Sequence, residues 1–314
     1  MEPIVPFEPV RHETIPLTGE WIAQIKWDGV RLLTYDDGRG VWLGNRRGRD
    51  RTKHYPELVE VQRYCRCQSV ILDGEVIALG PDGKPSFHEV MRRDGIRRME
   101  RVEGMLSVAP ITYMVFDVLY LNGVWLTKRP FTERQNMLAD ILLPDQSVQL
   151  VTNHNDATAL FEVVKEFGME GIVMKRPESP YLVAGKNDNW VKVKNYKDVV
   201  AVIGGYTLAD SGKVNALLLG LYNGEGELWY IGHSGTGKLT EKEWGALTGI
   251  LQLQEIDERP FANTPDRRKN AYWIVPKYTV KVQFAEWTSH GTLRQASIQA
   301  FVDMDPHKCV FESV

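Results

Sequence analysis

Lysines and carboxylates recur in four strand-like segments of the sequence, in a pattern that suits chemistry at a phosphate. The first segment is QIKWDGVR (residues 24–31), where Lys26 stands in an apolar run and is followed at once by Asp28 and Gly29. A buried ammonium group is costly unless it is paired or used. A lysine that ends a strand and reaches solvent is the structural alternative for this motif taken alone.

The other three segments bring further charged groups. VILDGEVIAL (70–79) places Glu75 between apolar neighbours, and MEGIVMK (169–175) places Glu170 at the mouth of another strand. WVKVK (190–194) projects Lys192 and Lys194 from one face, because side chains alternate along a strand. We therefore expect one cleft that collects lysines and carboxylates.

That set of side chains has a coherent use. Glu75 and Glu170 can hold Mg²⁺ directly or through water. Lys192 and Lys194 supply positive charge to a phosphate that becomes more negative in its transition state. Lys26 is the candidate nucleophile, since neighbouring cations and a bound metal are known means of lowering a lysine pKa for that task.

A second candidate site is the glycine-rich segment YIGHSGTGKLTEKE (230–243), which comes within one residue of the Walker phosphate-binding pattern. Leu239 follows Lys238, where the pattern needs a Ser or Thr hydroxyl on Mg²⁺. Thr240 and Glu243 have the spacing of a capping box, which starts the helix beyond the lysine. We interpret the segment as a turn before a capped helix and not as an ATP site.

Composition limits the alternatives. The chain of 314 residues carries 38 Lys and Arg against 41 Asp and Glu, so binding to nucleic acid by total charge is excluded and any contact must use patches. Two basic patches exist, NRRGRDRTKH (45–54) and MRRDGIRRMER (91–101); a solvated face explains either patch taken alone equally well.

Three cysteines argue against a disulfide framework or a four-cysteine zinc site. No signal peptide or membrane span is evident, which predicts a cytoplasmic protein.

The pattern of elements predicts two domains, 1–195 and 196–314. The first is α+β, with strands and helices that alternate without a regular repeat; its predicted helices are YPELVEVQRYC (55–65), PFTERQNMLADIL (130–142) and DATALFEVVKEFG (156–168). After about Asn195, short strands with a single capped helix indicate a small antiparallel barrel. The lysine-rich KVKNYKD (192–198) is the predicted hinge.

Six motifs in order resemble those of the covalent nucleotidyltransferases, and most closely those of ATP-dependent DNA ligases. They are KWDGVR (26–31), NRRGRD (45–50), LDGE (72–75), YMVFDVL (113–119), EGIVMK (170–175) and WVKVK (190–194). Further along, VIGGYT, GTGKLTE, RPFAN and VQFAEWTSHGTLR resemble the barrel of the ligase module of bacterial end-joining ligases. The resemblance implies an adenylation domain with antiparallel sheets and flanking helices, followed by an OB-fold barrel.

The resemblance also implies a reaction. Lys26 attacks the α-phosphate of ATP and releases pyrophosphate, AMP passes to a 5′-phosphate at a nick, and the 3′-hydroxyl displaces it. The residues implied are Lys192 and Lys194 at the α-phosphate; Gln24, Ile25, Arg31, Arg46, Glu75, Phe116 and Lys175 for ATP, with Phe116 stacked on adenine; Glu75 and Glu170 for Mg²⁺, with Mn²⁺ as a substitute; and Arg46, Arg47 and Arg49 for DNA. The implied partners of this monomer are nicked duplex DNA and a DNA end-binding protein.

Two departures and three alternatives accompany the resemblance. Gln24 stands where the family usually has Glu, although its amide oxygen can still accept a hydrogen bond from adenine. Val302 and Asp305 stand where an RxDK-like motif would place Arg and Lys to orient pyrophosphate. The candidate substitutes are Lys308, Arg294 and His307.

The alternative functions remain three: an RNA ligase or GTP-dependent capping enzyme, a non-catalytic DNA clamp, and a purely structural protein.

Overall fold

The computed structural model describes residues 1–267, 270–288 and 290–311. The chain divides into two compact units, Met1–Asn195 and Tyr196–Val314. A search of the described residues finds no helix with the length and apolar character needed to cross a membrane.

The first unit consists of two sheets and a set of short helices. Its strands are β1 Glu8–His12, β2 Ile22–Ile25, β3 Val30–Asp36, β4 Val41–Asn45, β5 Val70–Ile77, β6 Thr112–Leu121, β7 Val124–Trp125, β8 Val148–Leu150, β9 Gly171–Lys175 and β10 Lys186–Lys194. Its α-helices are α1 Val61–Tyr64, α2 Phe87–Asp94, α3 Val102–Met105, α4 Phe131–Ile141 and α5 Ala157–Glu166, with 3-10 turns at Thr52–His54, Pro56–Leu58 and Met99–Arg101.

The two sheets of this unit are mostly antiparallel. One has the order β1-β10-β9-β2, and the other has the order β4-β3-β5-β6-β7 with β8 beside β6. Two pairings, β1 with β10 and β6 with β8, are parallel and were not expected from the sequence. Parallel strands need a long crossover connection, and α4 provides it between β6 and β8. The predicted antiparallel character is therefore correct for the remaining pairs.

Local chemistry explains where the predicted helices begin and end. The side chain of Asp156 accepts a hydrogen bond from the Ala159 N–H at 2.9 Å and caps α5, and Gly168 follows the helix with φ of 64°. The helix predicted over residues 55–65 is wrong, because this stretch forms only the turn Pro56–Leu58 and the four-residue α1. Its fully buried residues recur every third position, a spacing closer to a 3-10 helix than to an α-helix: Tyr55, Leu58, Val61 and Tyr64.

The second unit consists of a six-stranded antiparallel sheet, a separate two-stranded sheet and, among its described residues, one α-helix, α6 Glu241–Gln252. Its strands are β11 Lys197–Leu208, β12 Val214–Tyr222, β13 Leu228–Ser234, β14 Glu255–Ile256, β15 Ala271–Phe284, β16 Glu286–Trp287, β17 Leu293–Arg294 and β18 Ser297–Val302, and a 3-10 turn covers Pro306–Lys308. The main sheet has the order β13-β12-β11-β15-β14, with β18 beside β15. The single capped helix agrees with the sequence prediction.

Candidate active site

Lys26 lies directly after β2, next to the start of β9. Its backbone N–H donates to the carbonyl oxygen of Gly171 at 2.9 Å, which fixes the chain at this point. Its Nζ lies 2.5 Å from Oε2 of Glu170, and its side chain is 22% exposed. The lysine therefore neither snorkels freely to solvent nor lies unpaired in the core.

Glu170 joins two of the predicted lysines. Its other oxygen, Oε1, accepts from Nζ of Lys194 at 2.9 Å, because β10 pairs with β9 so that Lys194 is opposite Gly171. Burial opposes ionisation of Glu170, but Lys26 and Lys194 outweigh that effect and its pKa is lowered. The carboxylate is thus charged and holds two ammonium groups in one place.

Lys192 belongs to the same charged cluster. Burial is the main cause that lowers the pKa of its ammonium group, and the charges of Lys26 and Lys194 lower it further. The alternation predicted for this strand is confirmed, since Val191 and Val193, which precede Lys192 and Lys194, are buried. Three lysines therefore concentrate positive charge where an anionic group could bind.

Glu75 lies on β5, opposite Arg31 of β3. Burial raises the pKa of its carboxyl group to about 8, against the opposing effect of Lys26 and Arg31, while Glu170 contributes in the same direction as burial. A second carboxyl therefore lies close to Glu170 and releases its proton only with difficulty unless a further cation approaches.

The two carboxyl groups fit a Mg²⁺ ion that takes its remaining ligands from water and phosphate. Mg²⁺ usually keeps several waters and uses one or two protein carboxylates. Residues 1–267, 270–288 and 290–311 contain no group of three or more His, Cys, Asp or Glu side chains placed to hold a metal by themselves. The prediction that Glu75 and Glu170 hold Mg²⁺ therefore involves two protein carboxyl groups, and it stays a prediction.

Arg31 is held more tightly than the sequence suggested. Its Nε and Nη2 donate to the two carboxylate oxygens of Asp73 at 2.9 and 2.6 Å, and Nη1 donates to the carbonyl oxygen of Phe7 at 2.7 Å. Tyr181 donates its hydroxyl to Asp73 at 2.6 Å. Such a bidentate pair fixes the guanidinium in one geometry. Asp73 and Glu75 are two residues apart in the LDGE motif and so lie on the same face of β5. Arg31 is opposite Glu75 and reaches Asp73 diagonally across the strand pair.

Phe116 lies half-buried beside an aromatic group that surrounds Lys175. The Nζ of Lys175 is 4.5 Å from the ring centre of Phe116, 4.7 Å from that of Phe131 and 4.1 Å from that of Trp190. This nitrogen is buried without a hydrogen-bond partner, and burial lowers the pKa of Lys175 to about 7. Phe116 and Lys175, both predicted at the nucleotide, are thus neighbours.

Gln24 is buried at the back of the same region. Its Nε2 donates to Oδ1 of Asn153 at 2.7 Å and to Oε1 of Gln135 at 3.2 Å. Gln135 in turn donates to the carbonyl oxygen of Phe116 at 2.9 Å. Gln135 and Asn153 escaped the sequence analysis because a polar residue on a helix or loop gives no sign that it faces inward. Ile25 is half-buried on β2, beside Gln24.

The first basic patch forms an exposed turn after β4. The side chain of Asn45 accepts from the N–H groups of Arg47 and Arg49 at 3.0 Å each, which closes the turn and leaves both arginines in solvent. Arg46, also exposed, makes an ion pair with Glu8. Three arginines are therefore presented from a fixed turn, as a phosphate-binding surface requires.

The second basic patch is not a uniform solvated face. Arg93 is fully buried, pairs with Glu57 at 2.9 Å and donates to the carbonyl oxygen of His54 at 2.8 Å. Arg92 pairs with Glu89 within α2. The remaining arginines of the patch are exposed, namely Arg97, Arg98 and Arg101.

The glycine-rich segment of the second unit is used for packing. The N–H of Lys238 donates to the carbonyl oxygen of Ile298 on β18 at 2.8 Å, so this amide is already occupied. The predicted capping box of Thr240 and Glu243 is present, and α6 begins at Glu241, three residues after the lysine. A phosphate loop would instead direct its amides to the ligand.

The residues at the altered C-terminal motif also have structural roles. Val302 ends β18, and its carbonyl oxygen accepts from the hydroxyl of Thr279. Asp305 accepts from the N–H of His307 at 3.0 Å and caps the last 3-10 turn. The ring of His307 packs 4.6 Å from that of Tyr222.

The site combines a strand-end lysine paired with a carboxylate, two further lysines and a half-buried aromatic ring. A small antiparallel unit follows the two sheets that carry it. This combination is typical of a nucleotidyltransferase. Residues 10–194 match the family model of the ATP dependent DNA ligase domain, and residues 210–302 match that of the ATP dependent DNA ligase C terminal region. The chain therefore belongs to the ATP-dependent DNA ligase family.

Curated proteins with similar sequences are also DNA ligases. The multifunctional non-homologous end joining DNA repair protein LigD of Mycobacterium tuberculosis is 32% identical over 283 residues, which cover 88% of this chain and 35% of that protein. A probable DNA ligase of Dictyoglomus thermophilum is 30% identical over 293 residues and is covered to 50%. The chain thus spans between about a third and a half of the length of these relatives.

Solved structures of DNA ligases have the same fold as this chain. The structure of mycobacterial DNA ligase D complexed with ATP and MES is 30% identical, with a TM-score of 0.54 and coverage of 98% of both chains. A structure of a Lig E DNA ligase, at 21% identity and a TM-score of 0.59, shares the fold. The predicted fold class is confirmed: an α+β nucleotidyltransferase domain followed by a C-terminal OB-fold.

Proposed function

We propose that the protein is an ATP-dependent DNA ligase that seals nicks between a 5′-phosphate and a 3′-hydroxyl. The observation that carries the proposal is the contact of Lys26 with Glu170, which also holds Lys194. The family model covers the same residues, and the LigD relatives are named as end-joining repair proteins.

In the first step, Nζ of Lys26 attacks the α-phosphorus of ATP, a nitrogen–phosphorus bond forms, and the bond to pyrophosphate breaks. The amine must lose a proton to solvent before it attacks, because the carboxylate of Glu170, 2.5 Å from it, has a lowered pKa and is too weak a base to take that proton. Lys192 and Lys194 stabilise the charge that develops on the phosphate. Mg²⁺, held by Glu75 and Glu170, would neutralise further phosphate charge when bound.

Recognition of the nucleotide rests on the region around Phe116. We assign stacking on adenine to the half-buried ring of Phe116 and a contact with the base to Lys175, whose pKa of about 7 allows a neutral amine near neutral pH. Gln24 uses its amide nitrogen for protein partners, so its oxygen is the atom that can accept from the adenine amino group. Arg31 and Ile25 complete the proposed ATP site.

The DNA steps follow from the exposed arginines. We assign Arg46, Arg47 and Arg49 to the phosphates of a nicked duplex, with Arg46 nearest the 5′-phosphate, because all three project from one closed turn. A DNA end-binding partner, a monomeric state, a cytoplasmic location and the use of Mn²⁺ in place of Mg²⁺ stay predictions.

The proposal is tested by incubating the protein with Mg²⁺ and ATP labelled on the α-phosphate, then denaturing it and measuring covalent label. We expect label on the wild type and none on Lys26→Ala or on Lys26→Arg. The arginine variant is the matched control, since a guanidinium keeps the charge that pairs with Glu170. Thermal unfolding of both variants should match the wild type closely enough to exclude misfolding.

A second substrate separates the alternatives. Nicked DNA that already carries AMP on its 5′-phosphate bypasses the first step, so sealing without labelling would mean that only the first step is lost. Neither labelling nor sealing would favour a non-catalytic clamp. Label from GTP in place of ATP, or sealing of RNA nicks in place of DNA nicks, would favour the capping enzyme or the RNA ligase.

A further inference from the structure

Glu8 lies in a segment that is anchored independently of its own side chain. The preceding residue, Phe7, is fully buried, with its ring 4.8 Å from that of Trp190. The N–H of Phe7 donates to the hydroxyl of Tyr181 at 3.0 Å, and the N–H of Glu8 donates to the carbonyl oxygen of Gly185 at 3.0 Å. The position of Glu8 is thus fixed by the backbone and by its buried neighbour.

The carboxylate of Glu8 contacts one cation, Arg46, and acts near two lysines of β10. It forms an ion pair with Arg46, and its residue is opposite Lys186 in the pairing of β1 with β10. It also acts on Lys192: burial, Lys26, Lys194 and Lys186 lower the pKa of Lys192, and Glu8 opposes them. A single carboxylate therefore partly neutralises a basic surface that would otherwise attract phosphate.

We propose that Glu8 occupies the place of a DNA phosphate at Arg46 and must be displaced by the 5′-phosphate of a nick. Glu8 thereby acts as an internal competitor that sets how strongly the protein binds nicks, and it is a positioning residue for Arg46 in the free protein. This inference rests on the proposed ligase function.

The exposure of the pair is what allows displacement. The side chain of Arg46 is 60% exposed and that of Glu8 is 25% exposed, so water screens their attraction. A DNA phosphate brings the additional gain of released counterions, which a carboxylate within the chain does not. Loss of an exposed ion pair of this kind corresponds to about a two- to fivefold change in an equilibrium constant.

The test measures binding of duplex DNA by fluorescence anisotropy, after incubation with ATP and Mg²⁺ followed by EDTA. The duplexes are intact, nicked with a 5′-phosphate, or nicked with a 5′-hydroxyl, and both nicks end in a dideoxynucleotide so that sealing is impossible. The proteins are the wild type, Glu8→Gln, Glu8→Ala and Glu2→Gln. Glu2 is exposed in the same N-terminal segment, and its variant makes the same change in net charge.

We expect Glu8→Gln and Glu8→Ala to bind the 5′-phosphate nick about two- to fivefold more tightly than the wild type does, with a smaller gain on the 5′-hydroxyl nick. Glu2→Gln should change both nicks equally and little. In an Arg46→Ala background, the gain from Glu8→Gln should shrink, because the cation for which Glu8 and the DNA phosphate compete is gone.

Three results would overturn the inference. Equal gains for Glu8→Gln and Glu2→Gln would mean that only net charge matters, and weaker binding by both Glu8 variants would mean that Glu8 assists the phosphate site. If the wild type does not distinguish the 5′-phosphate nick from intact duplex, the proposed recognition of nicks fails first and the role of Glu8 fails with it.

Discussion

The ammonium group of Lys175 lies where water does not reach it. Lys175 is 1% exposed, and three aromatic rings take the place of hydrogen-bond partners around Nζ. Cation–π attraction offsets part of the loss of hydration, but burial still dominates and lowers the pKa to about 7. A side chain that serves stability alone would be better replaced by an apolar one, which points to a use in binding.

The pH dependence of stability should expose this lysine. The pKa of Lys175 is about 7 in the folded protein, whereas the reference value for an exposed lysine, as in the unfolded chain, is 10.5. The folded state therefore binds this proton more weakly than the unfolded state does. Burial of the protonated amine therefore lowers the free energy of unfolding. This loss of stability is complete below pH 7 and disappears as the pH rises towards the reference pKa. We expect Lys175→Met to raise the free energy of unfolding by roughly 2–4 kcal/mol at pH 6, with a smaller gain at pH 9.

Denaturant unfolding at several pH values measures this effect. Lys165→Met serves as the control, because Lys165 is 46% exposed on α5, where it pairs with Glu162 and lies over the ring of Phe161. Wild-type and Lys175→Met curves that run parallel with pH would contradict the prediction.

At the scale of elements, a buried ion pair fastens α4 to β6. Arg134 donates through Nε and Nη2 to the two oxygens of Asp117 at 2.8 and 3.0 Å, and neither side chain is exposed. Nη1 also donates to the carbonyl oxygens of Arg129 and Ser179. Asp117 follows Phe116 on β6, so the network supports the strand that presents the proposed adenine-stacking ring.

Removal of one partner of this pair should be severe. We expect Arg134→Met to lower the free energy of unfolding by about 3–5 kcal/mol, because it leaves the carboxylate of Asp117 buried and unpaired. Arg129→Met is the matched control on the same segment: its pair with Glu133 is exposed and should contribute less than about 1 kcal/mol. Equal losses in denaturant unfolding would count against the role of the buried pair.

The glycine-rich turn makes a different prediction for activity. Gly237 has φ of 58°, and a Cβ there would come within 2.1 Å of the carbonyl oxygen of Ile298, so the turn fits closely against β18. We expect Arg46→Ala to impair nick sealing more than Lys238→Ala does, because Lys238 belongs to this packed turn. Equal losses in a nick-joining assay would reopen the possibility that the turn binds a phosphate.

Elements with a local signal were predicted best. The capping box of Thr240 depends on side chains within three residues and is present, and the helix predicted over residues 156–168 appears as α5. The stretch 55–65 failed because its burial every third residue resembles an α-helical face over one or two turns. The parallel partner of β1 could not be predicted either, since strand pairing depends on contacts far apart in the sequence.

For the whole molecule, sequence motifs identified the charged residues of the candidate site but not their partners. Lys26, Glu170 and Lys194 carried recognisable spacing, and the structure brings them into contact. Gln135 and Asn153 carried none, because their importance comes from facing Gln24 across more than 100 positions of chain. Arg93 shows the converse, since a basic run suggested solvent and tertiary packing buries this member of it.

The net charge of −3 makes DNA binding a matter of local surfaces, and salt should reveal which surface is used. Each neutralised phosphate contributes a slope of about −0.9 to the logarithm of the binding constant against that of salt concentration. We expect Arg47→Ala and Arg49→Ala each to reduce the slope for nicked duplex by about 1. Arg129→Ala, exposed but paired with Glu133, should leave it unchanged. If all three variants shift the slope alike, the field of the whole molecule, and not the turn after β4, attracts the DNA.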